Sequence, residues 1–260
     1  MASELIVFNT QDGITTLTLN RPEKSNALNG AMIKSLLQAL TTLSQDSSSR
    51  VLLIQSAGAH FCAGADIAWM KKMAEGSYND NYEDAQYLAD LMYQLYIYPK
   101  PTIVLTHGMA LGGGMGLIAA CDIAIASKNA KFGFSEINIA MSPSTISPYV
   151  IATIGERAAR YYFLTGEHFG TDEAHRLGLI HQIESEDALL STGIKLAKRL
   201  LEFSQHALMM TKQLIQHVAK EEINTELGQK TAEHLAHGRS SQDAREGLQA
   251  FLEKRKPTWR

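Results

Sequence analysis

The chain has 260 residues, of which 45% are hydrophobic and 20% are charged, and its net charge at pH 7 is −3. This length and composition fit one globular unit with a full hydrophobic core. The weak negative charge gives no support for a nucleic-acid partner, and no apolar run approaches the ~20 residues that cross a membrane. The N-terminus resembles neither a signal peptide nor a transit peptide, so we expect a soluble cytoplasmic protein.

The first part of the chain alternates predicted strands with predicted helices. Strands that alternate with helices and glycine-rich loops predict an α/β fold with a parallel sheet. In chain order, hydrophobic periodicity predicts a hairpin of strands Glu4–Phe8 and Ile14–Leu19, helix Asn29–Leu43, strand Val51–Gln55, helices Ile67–Met73 and Tyr82–Tyr98, strand Thr102–Thr106, helix Leu117–Cys121 and strand Asp122–Ala126.

From Gly155 onward the pattern is mainly helical. We assign residues 1–200 to the core and 201–260 to a C-terminal helical region of the same unit. Because these last helices need a surface to cover, either the chain's own sheet or a neighbouring subunit, an oligomer is expected. The predicted helices are Gly155–Thr165, Thr171–Leu177, Glu186–Ser204, Ala207–Lys220, Asn224–Ala236 and Ser241–Lys254.

Two segments share one pattern, in which an apolar strand runs into small residues and then into a helix. The first contains Ala63-Gly64-Ala65 and the second contains Gly112-Gly113-Gly114. Small residues let a ligand approach the main chain, and a helix that begins there presents unpaired N–H groups. Two such sites that face each other predict an oxyanion hole, which stabilises negative charge on a carbonyl oxygen.

Glycine-rich segments also arise from close helix–strand packing or from dinucleotide binding. The run from Gly114 through Gly116 to Ala119 fits the dinucleotide fingerprint and follows a strand. However, Glu136 lies too late to stand at the tip of the next strand, and no second βαβ half follows. Dinucleotide binding is therefore disfavoured, while close packing remains an alternative for either segment.

Glu136 lies among apolar and aromatic residues. Burial there would raise the pKa of its carboxyl, which suits proton transfer near neutrality. Taken alone, the residue is better explained as an exposed or helix-capping carboxylate. The nine histidines show no HExxH motif, and Cys62 and Cys121 lack metal-ligand spacing, so we expect reduced core thiols and no metal.

In combination, these segments resemble the enoyl-CoA hydratase/isomerase, or crotonase, family along essentially the whole chain. The set, in this order and spacing, is specific although each piece is common. The matching pieces are Asn20-Arg21-Pro22, Asn26-Ala27-Leu28, Phe61-Cys62-Ala63-Gly64-Ala65-Asp66, Ala110-Leu111-Gly112-Gly113-Gly114, Cys121-Asp122-Ile123-Ala124, Phe132-Gly133-x-x-Glu136, Leu164-Thr165-Gly166 and Phe251-Leu252-Glu253-Lys254-Arg255.

The resemblance implies a spiral of ββα turns with a C-terminal helical trimerisation region, assembled as a homotrimer or a dimer of trimers. It implies an acyl-CoA thioester substrate, so that coenzyme A is part of the substrate and no separate cofactor is needed. It places the oxyanion-hole amides at Ala65 and Gly113 and the catalytic acid at Glu136. It places contacts to coenzyme A at Lys24, Ser25, Ala27, Ala63, Asp66 and Ile67, and, from a neighbouring subunit, at Phe251 and Lys254.

One position departs from the archetypal hydratases, which carry a first catalytic glutamate where this chain has Gly116. A single carboxylate fits a Δ3-Δ2 enoyl-CoA isomerase as well as a hydratase. The smaller residue leads us to expect room for a branched acyl group, with Ser142, Ser144 or Thr145 as candidates to help orient water. The chain also resembles a bacterial branched-acyl subgroup, which contains methylglutaconyl-CoA hydratases of leucine degradation and carboxygeranoyl-CoA hydratases of acyclic terpene degradation. This similarity rests on Ala68-Trp69-Met70 and on segments 90–96, 144–150, 154–160 and 250–259.

From this resemblance we expect a lyase that hydrates an enoyl-CoA, with a 3-methylglutaconyl-CoA-like substrate. The isomerase is the first alternative. A more remote one is a non-catalytic homologue that binds coenzyme A or RNA, which the acidic charge balance and the presence of Glu136 disfavour.

Overall fold

The computed structural model describes residues 4–259. Within this range nine strands form two sheets, in the orders β1-β2-β3-β4-β6-β9 and β5-β7-β8. Only the β1–β2 and β7–β8 pairs are antiparallel among these strands. The strands are β1 (Ile6–Gln11), β2 (Ile14–Leu19), β3 (Val51–Ser56), β4 (Thr102–Thr106), β5 (Met109–Leu111), β6 (Ile123–Ser127), β7 (Lys131–Gly133), β8 (Phe169–Gly170) and β9 (Gln182–Glu184).

Ten α-helices connect and cover these strands within the described residues. Polar residues cap several of them: Asn29 caps α1, and Ser77 caps α3 through a capping box with Asp80. The helices are α1 (Gly30–Gln45), α2 (Ile67–Ala74), α3 (Tyr78–Tyr96), α4 (Gly113–Ala120), α5 (Ser147–Thr165), α6 (Thr171–Arg176), α7 (Glu186–Leu201), α8 (Gln205–Val218), α9 (Thr225–Ser240) and α10 (Gln242–Leu252).

The central strands of the larger sheet are buried on both faces. Successive side chains of β3 enter different cores: Leu52 joins the cluster formed with α1, α3 and α4, whereas Leu53 joins the cluster beneath α7. Continuous apolar runs are typical of parallel strands that are covered on both sides. This packing places the ends of β3 and β4, and the loops that follow them, at one edge of the sheet.

The long elements agree with the sequence predictions to within a few residues, apart from two helices near glycines. Helix α4 begins at Gly113 rather than Leu117, because three glycines hide its first turn from hydrophobic periodicity. Helix α5 begins at Ser147 and contains a break at Gly155, where φ is 79°. The four short strands β5, β7, β8 and β9 were not predicted, since two or three residues carry no readable alternation.

The C-terminal helices attach to the core through α8. Lys212 Nζ lies 2.9 Å from Asp122 Oδ2, and Gln216 Nε2 donates to the Tyr96 carbonyl over 2.6 Å. Helix α9 packs on α8 and α10 packs on α9. Helix α10 leaves Phe251 80% exposed. Across residues 4–259, no helix has the length and apolar character required to span a membrane.

Candidate active site

The first candidate amide lies in the loop between β3 and α2. The Leu28 N–H donates to the Gly64 carbonyl over 2.7 Å, and the Asp66 N–H donates to the Leu28 carbonyl over 2.8 Å. The C=O and N–H of a trans peptide point in opposite directions, so the Ala65 N–H is directed away from Leu28. Ala65 is exposed between buried neighbours, and its N–H has no acceptor within residues 4–259.

The second candidate amide begins α4. The Gly112 carbonyl accepts from the N–H groups of Met115 and Gly116 and therefore points into α4. The Gly113 N–H belongs to the same peptide and points in the opposite direction, away from the helix. That N–H also has no acceptor in the part of the chain that the structure describes. Gly112 has φ 48° and ψ −115°, a backbone conformation that favours glycine. The two loops touch: a Cβ placed on Gly112 would lie 3.6 Å from Gly64 Cα.

Glu136 brings a carboxylate to this junction. The same Cβ on Gly112 would lie 2.9 Å from Glu136 Oε1, so the carboxylate stands directly against the loop. Its other oxygen, Oε2, is buried and has no hydrogen-bond partner among the described residues. Burial raises the pKa of Glu136, against the opposing effect of its own backbone N–H. Two unpaired amides and one desolvated acid at one junction can hold an oxyanion and transfer a proton.

Comparison with known proteins identifies the family of this site. The sequence model of the family described as "Enoyl-CoA hydratase/isomerase" matches residues 9–260. The chain belongs to this family. The match confirms the predicted family and, at that level, the prediction of an enoyl-CoA hydratase-type enzyme.

Relatives within the family cover nearly the whole chain. A crystal structure of an enoyl-CoA hydratase from Shewanella pealeana is 38% identical with a TM-score of 0.96, and the match covers 98% of this chain and 96% of that one. This similarity confirms the predicted crotonase fold. The 2,3-dehydroadipyl-CoA hydratase of Escherichia coli is 32% identical over 99% of both chains. The 1,2-epoxyphenylacetyl-CoA isomerase of Escherichia coli is 32% identical over 98% of this chain and 97% of that protein.

The expectation that Gly116 leaves room for a branched acyl group is wrong. A Cβ placed on Gly116 would lie 2.3 Å from Ile146 Cγ2 and 2.9 Å from Met92 Sδ. Both side chains are buried, with exposed fractions of 2% for Ile146 and 0% for Met92. The space beside Gly116 is therefore filled, and this glycine is a packing position that offers no group to a substrate.

Four residues predicted to contact coenzyme A lie around the first loop. The Ser25 carbonyl accepts from the Ala63 N–H over 2.9 Å, which joins the two segments. Lys24 is exposed beside them, and Ala27 is buried with its carbonyl bound to Arg21. Lys24 thus presents an exposed cationic side chain, whereas the buried Ala27 is engaged by Arg21 through its carbonyl.

Asp66 and Ile67 differ sharply in how much they offer a ligand. Asp66 caps α2 by accepting from the Trp69 N–H over 3.1 Å, and its Oδ2 lies 2.6 Å from Arg21 Nη1. Burial alone would raise the pKa of Asp66, but these partners outweigh it and hold the pKa below its ordinary value. Ile67 is 83% exposed and presents an apolar surface beside the loop. The Asp66 side chain is therefore engaged within the protein.

The structure does not bring Phe251 and Lys254 to this junction within one chain. Phe251 lies on α10, which packs on α9, and Lys254 follows in an exposed turn with φ 53°. Their predicted contact with a coenzyme A molecule bound to a neighbouring subunit stays a prediction.

Several other polar side chains have structural partners. His107 Nε2 contacts the Gly58 carbonyl at 2.8 Å, and His60 Nδ1 accepts from the Met109 N–H. Ser142 and Ser144 pair with each other through their hydroxyls at 2.7 Å. Both cysteines are free, and burial raises the pKa of each thiol to about 12. No group of metal-ligating side chains is arranged to hold an ion within residues 4–259.

Two residues near the site were not assigned a role from the sequence. Asn26 is fully buried with φ 53°; its Nδ2 donates to the Ala57 and His60 carbonyls, and its Oδ1 accepts from the Arg21 N–H. Arg21 itself bridges Ala27 and Asp66. Both residues stand in motifs of the resemblance, but only the tertiary contacts show that their side chains join segment 21–27 to the loop between β3 and α2.

Proposed function

We propose that this chain is an enoyl-CoA hydratase that adds water across the α,β double bond of an acyl-CoA thioester. The observation that carries the proposal is the meeting of the unpaired Ala65 and Gly113 amides with the desolvated Glu136 carboxylate. Relatives that cover nearly the whole chain carry hydratase names. We place the enzyme in the cytoplasm, as expected from the sequence.

In this proposal the thioester carbonyl oxygen lies between the two amides. The Glu136 carboxylate accepts a proton as water oxygen bonds to Cβ, and the double-bond electrons move to form an enolate. The amides stabilise the negative charge that develops on the oxygen. Protonated Glu136 then delivers a proton to Cα, so that one water molecule is added and the carboxylate is regenerated.

For the acyl group we propose a branched, 3-methylglutaconyl-CoA-like chain, as in leucine degradation. Support comes from the resemblance in segments 90–96 and 144–150, and from a relative named as a 2,3-dehydroadipyl-CoA hydratase, whose substrate name denotes a dicarboxylic acyl group. The room for this chain must lie elsewhere than beside Gly116, because Ile146 and Met92 fill that space.

A Δ3-Δ2 enoyl-CoA isomerase is the second candidate. The observation that favours it is the apolar packing around Gly116, which leaves Glu136 without a second carboxylate on that face of α4. A single acid can move a proton between two carbons without an oriented water molecule.

The test is a direct assay of crotonyl-CoA, 3-methylglutaconyl-CoA and a 3-enoyl-CoA, with product masses measured. We expect a gain of one water on 3-methylglutaconyl-CoA that Glu136→Gln abolishes and that Glu156→Gln, an exposed carboxylate in an i,i+4 ion pair, leaves unchanged. Conversion of the 3-enoyl ester without a mass change establishes the isomerase instead. Full turnover by Glu136→Gln contradicts both assignments.

We also propose a homotrimer or a dimer of trimers, formed through the C-terminal helices. Helices α9 and α10 carry the exposed apolar side chains Leu235, Leu248, Phe251 and Leu252. Analytical ultracentrifugation of the full chain tests this proposal, and a monomer at micromolar concentration contradicts it.

A further inference from the structure

Arg21 joins the two chain segments that border the first candidate amide. Its Nη1 lies 2.6 Å from Asp66 Oδ2 and donates to the Ala27 carbonyl over 3.1 Å. The side chains of Arg21 and Asp66 are 14% and 9% exposed, so solvent screens this ion pair weakly. The Arg21 guanidinium therefore holds Ala27, which precedes Leu28, and Asp66, which follows Ala65, at a fixed separation.

That separation determines where the Ala65 N–H points. The peptide that carries this N–H is oriented by the bond from the Leu28 N–H to the Gly64 carbonyl, and the bond from the Asp66 N–H to the Leu28 carbonyl closes the other side. Any shift of Leu28 relative to Asp66 therefore tilts the Gly64–Ala65 peptide, which carries this N–H. Arg21 links the same two segments, through Ala27 and Asp66.

We propose that Arg21 is a positioning residue for the Ala65 amide, acting through Ala27 and Asp66 to hold that N–H in line with the substrate's carbonyl oxygen. The inference rests on the proposed oxyanion role of Ala65. Hydrogen-bond donors stabilise a developing charge only when they are oriented in advance. Loss of the clamp, by which we mean the contacts of Arg21 with Ala27 and Asp66, therefore lowers turnover more than it lowers the affinity for the substrate.

The test removes both charges together, because a lone buried charge would destabilise the fold by itself. In Arg21→Met/Asp66→Asn, the asparagine side chain keeps an oxygen that can cap α2. The matched control is Arg160→Met/Glu156→Gln, an exposed pair with the same 2.6 Å separation between its charged atoms. If the double variant fails to fold, Arg21→Lys retains the charge but, with a single nitrogen, cannot bridge both acceptors as the guanidinium does.

Three readouts separate positioning from support of the fold. We expect kcat for the preferred 2-enoyl-CoA to fall by about 10- to 100-fold, the scale of a misplaced catalytic group. The dissociation constant of coenzyme A, which has no thioester carbonyl, should stay within about twofold in Arg21→Lys, which retains the predicted coenzyme A contact Asp66, because Arg21 acts on the donor to the carbonyl. The red shift of the absorption maximum of bound 4-dimethylaminocinnamoyl-CoA reports hydrogen bonding to its carbonyl. In the variant this maximum should move back towards that of the probe free in solution.

An unchanged kcat and red shift in a folded variant overturn the inference. An unchanged kcat with weaker coenzyme A binding also overturns it, because the clamp would then serve the nucleotide. If the wild-type protein turns over no enoyl thioester, the proposed function fails. The red shift still decides whether Arg21 positions the donor, so the two failures are distinguishable.

Discussion

Substitution of Gly116 by alanine tests whether packing, rather than substrate access, determines this position. Gly116 lies inside α4 with ordinary helical geometry, so alanine gains up to about 1 kcal/mol of helix propensity. The added methyl would lie 2.3 Å from Ile146 Cγ2, far inside the ~3.5–4.0 Å of a normal carbon contact. Overpacking of a buried site costs about 1–3 kcal/mol, and this contact is severe enough to exceed the propensity gain. We therefore expect a lower free energy of unfolding.

Urea unfolding at fixed protein concentration measures this loss, because assembly contributes equally to each variant. Gly228→Ala in α9 is the matched control: a Cβ there meets no atom within 4 Å, so this variant should be as stable as wild type or more so. Ile146→Ala alone should cost about 2–5 kcal/mol through the cavity it leaves. Gly116→Ala should partly fill that cavity, so the double variant should be more stable than the sum of the single losses predicts. Gly116→Ala at or above wild-type stability, or strict additivity, would refute the reasoning.

Three further predictions follow from buried or exposed groups. Glu136→Gln should raise the free energy of unfolding at pH 7, because burial raises the pKa of Glu136 and its ionisation therefore destabilises the folded state. In urea titrations this gain should vanish below the ordinary glutamate pKa of 4.5, where the carboxyl is protonated in both states. A gain that grows in acid would contradict the burial. Lys100→Met should cost about 1–3 kcal/mol in the same titration, since Lys100 Nζ binds the Leu43 and Asp46 carbonyls at 2.5 and 2.7 Å at the end of α1; an unchanged midpoint would contradict this. Phe251→Ser should lower the sedimentation coefficient without changing the circular dichroism, because Phe251 is 80% exposed; an unchanged distribution of species excludes it from the interface.

The sequence was informative where a pattern is local. Strands β3 and β4 and the long helices have apolar periods that run over several residues, so their positions were predictable. Short motifs also pointed to the two glycine-rich segments and to Glu136, which the structure brings to one junction. The strands of the smaller sheet were not, because β8 has only two residues and depends on its neighbours for recognition.

Contacts between distant segments were beyond the reach of the sequence. Nothing near Gly116 in the chain indicates that Ile146 lies against it, and its small size suggested open space where the structure has packed side chains. Similarly, Arg21 and Asp66 were recognised in separate motifs, but their ion pair exists only after β2 and β3 align in the sheet. Geometry of this kind depends on tertiary packing, which no single pattern encodes.

The packing beside Gly116 also constrains how this enzyme can evolve. A side chain at position 116 is sterically incompatible with the present Ile146 and Met92, so a new acid there requires a compensating change in one of them. Either change alone lowers stability, through overpacking or through a cavity. The route to a carboxylate at position 116 is therefore epistatic, and a lineage with this core must cross a less stable intermediate or gain stability elsewhere first.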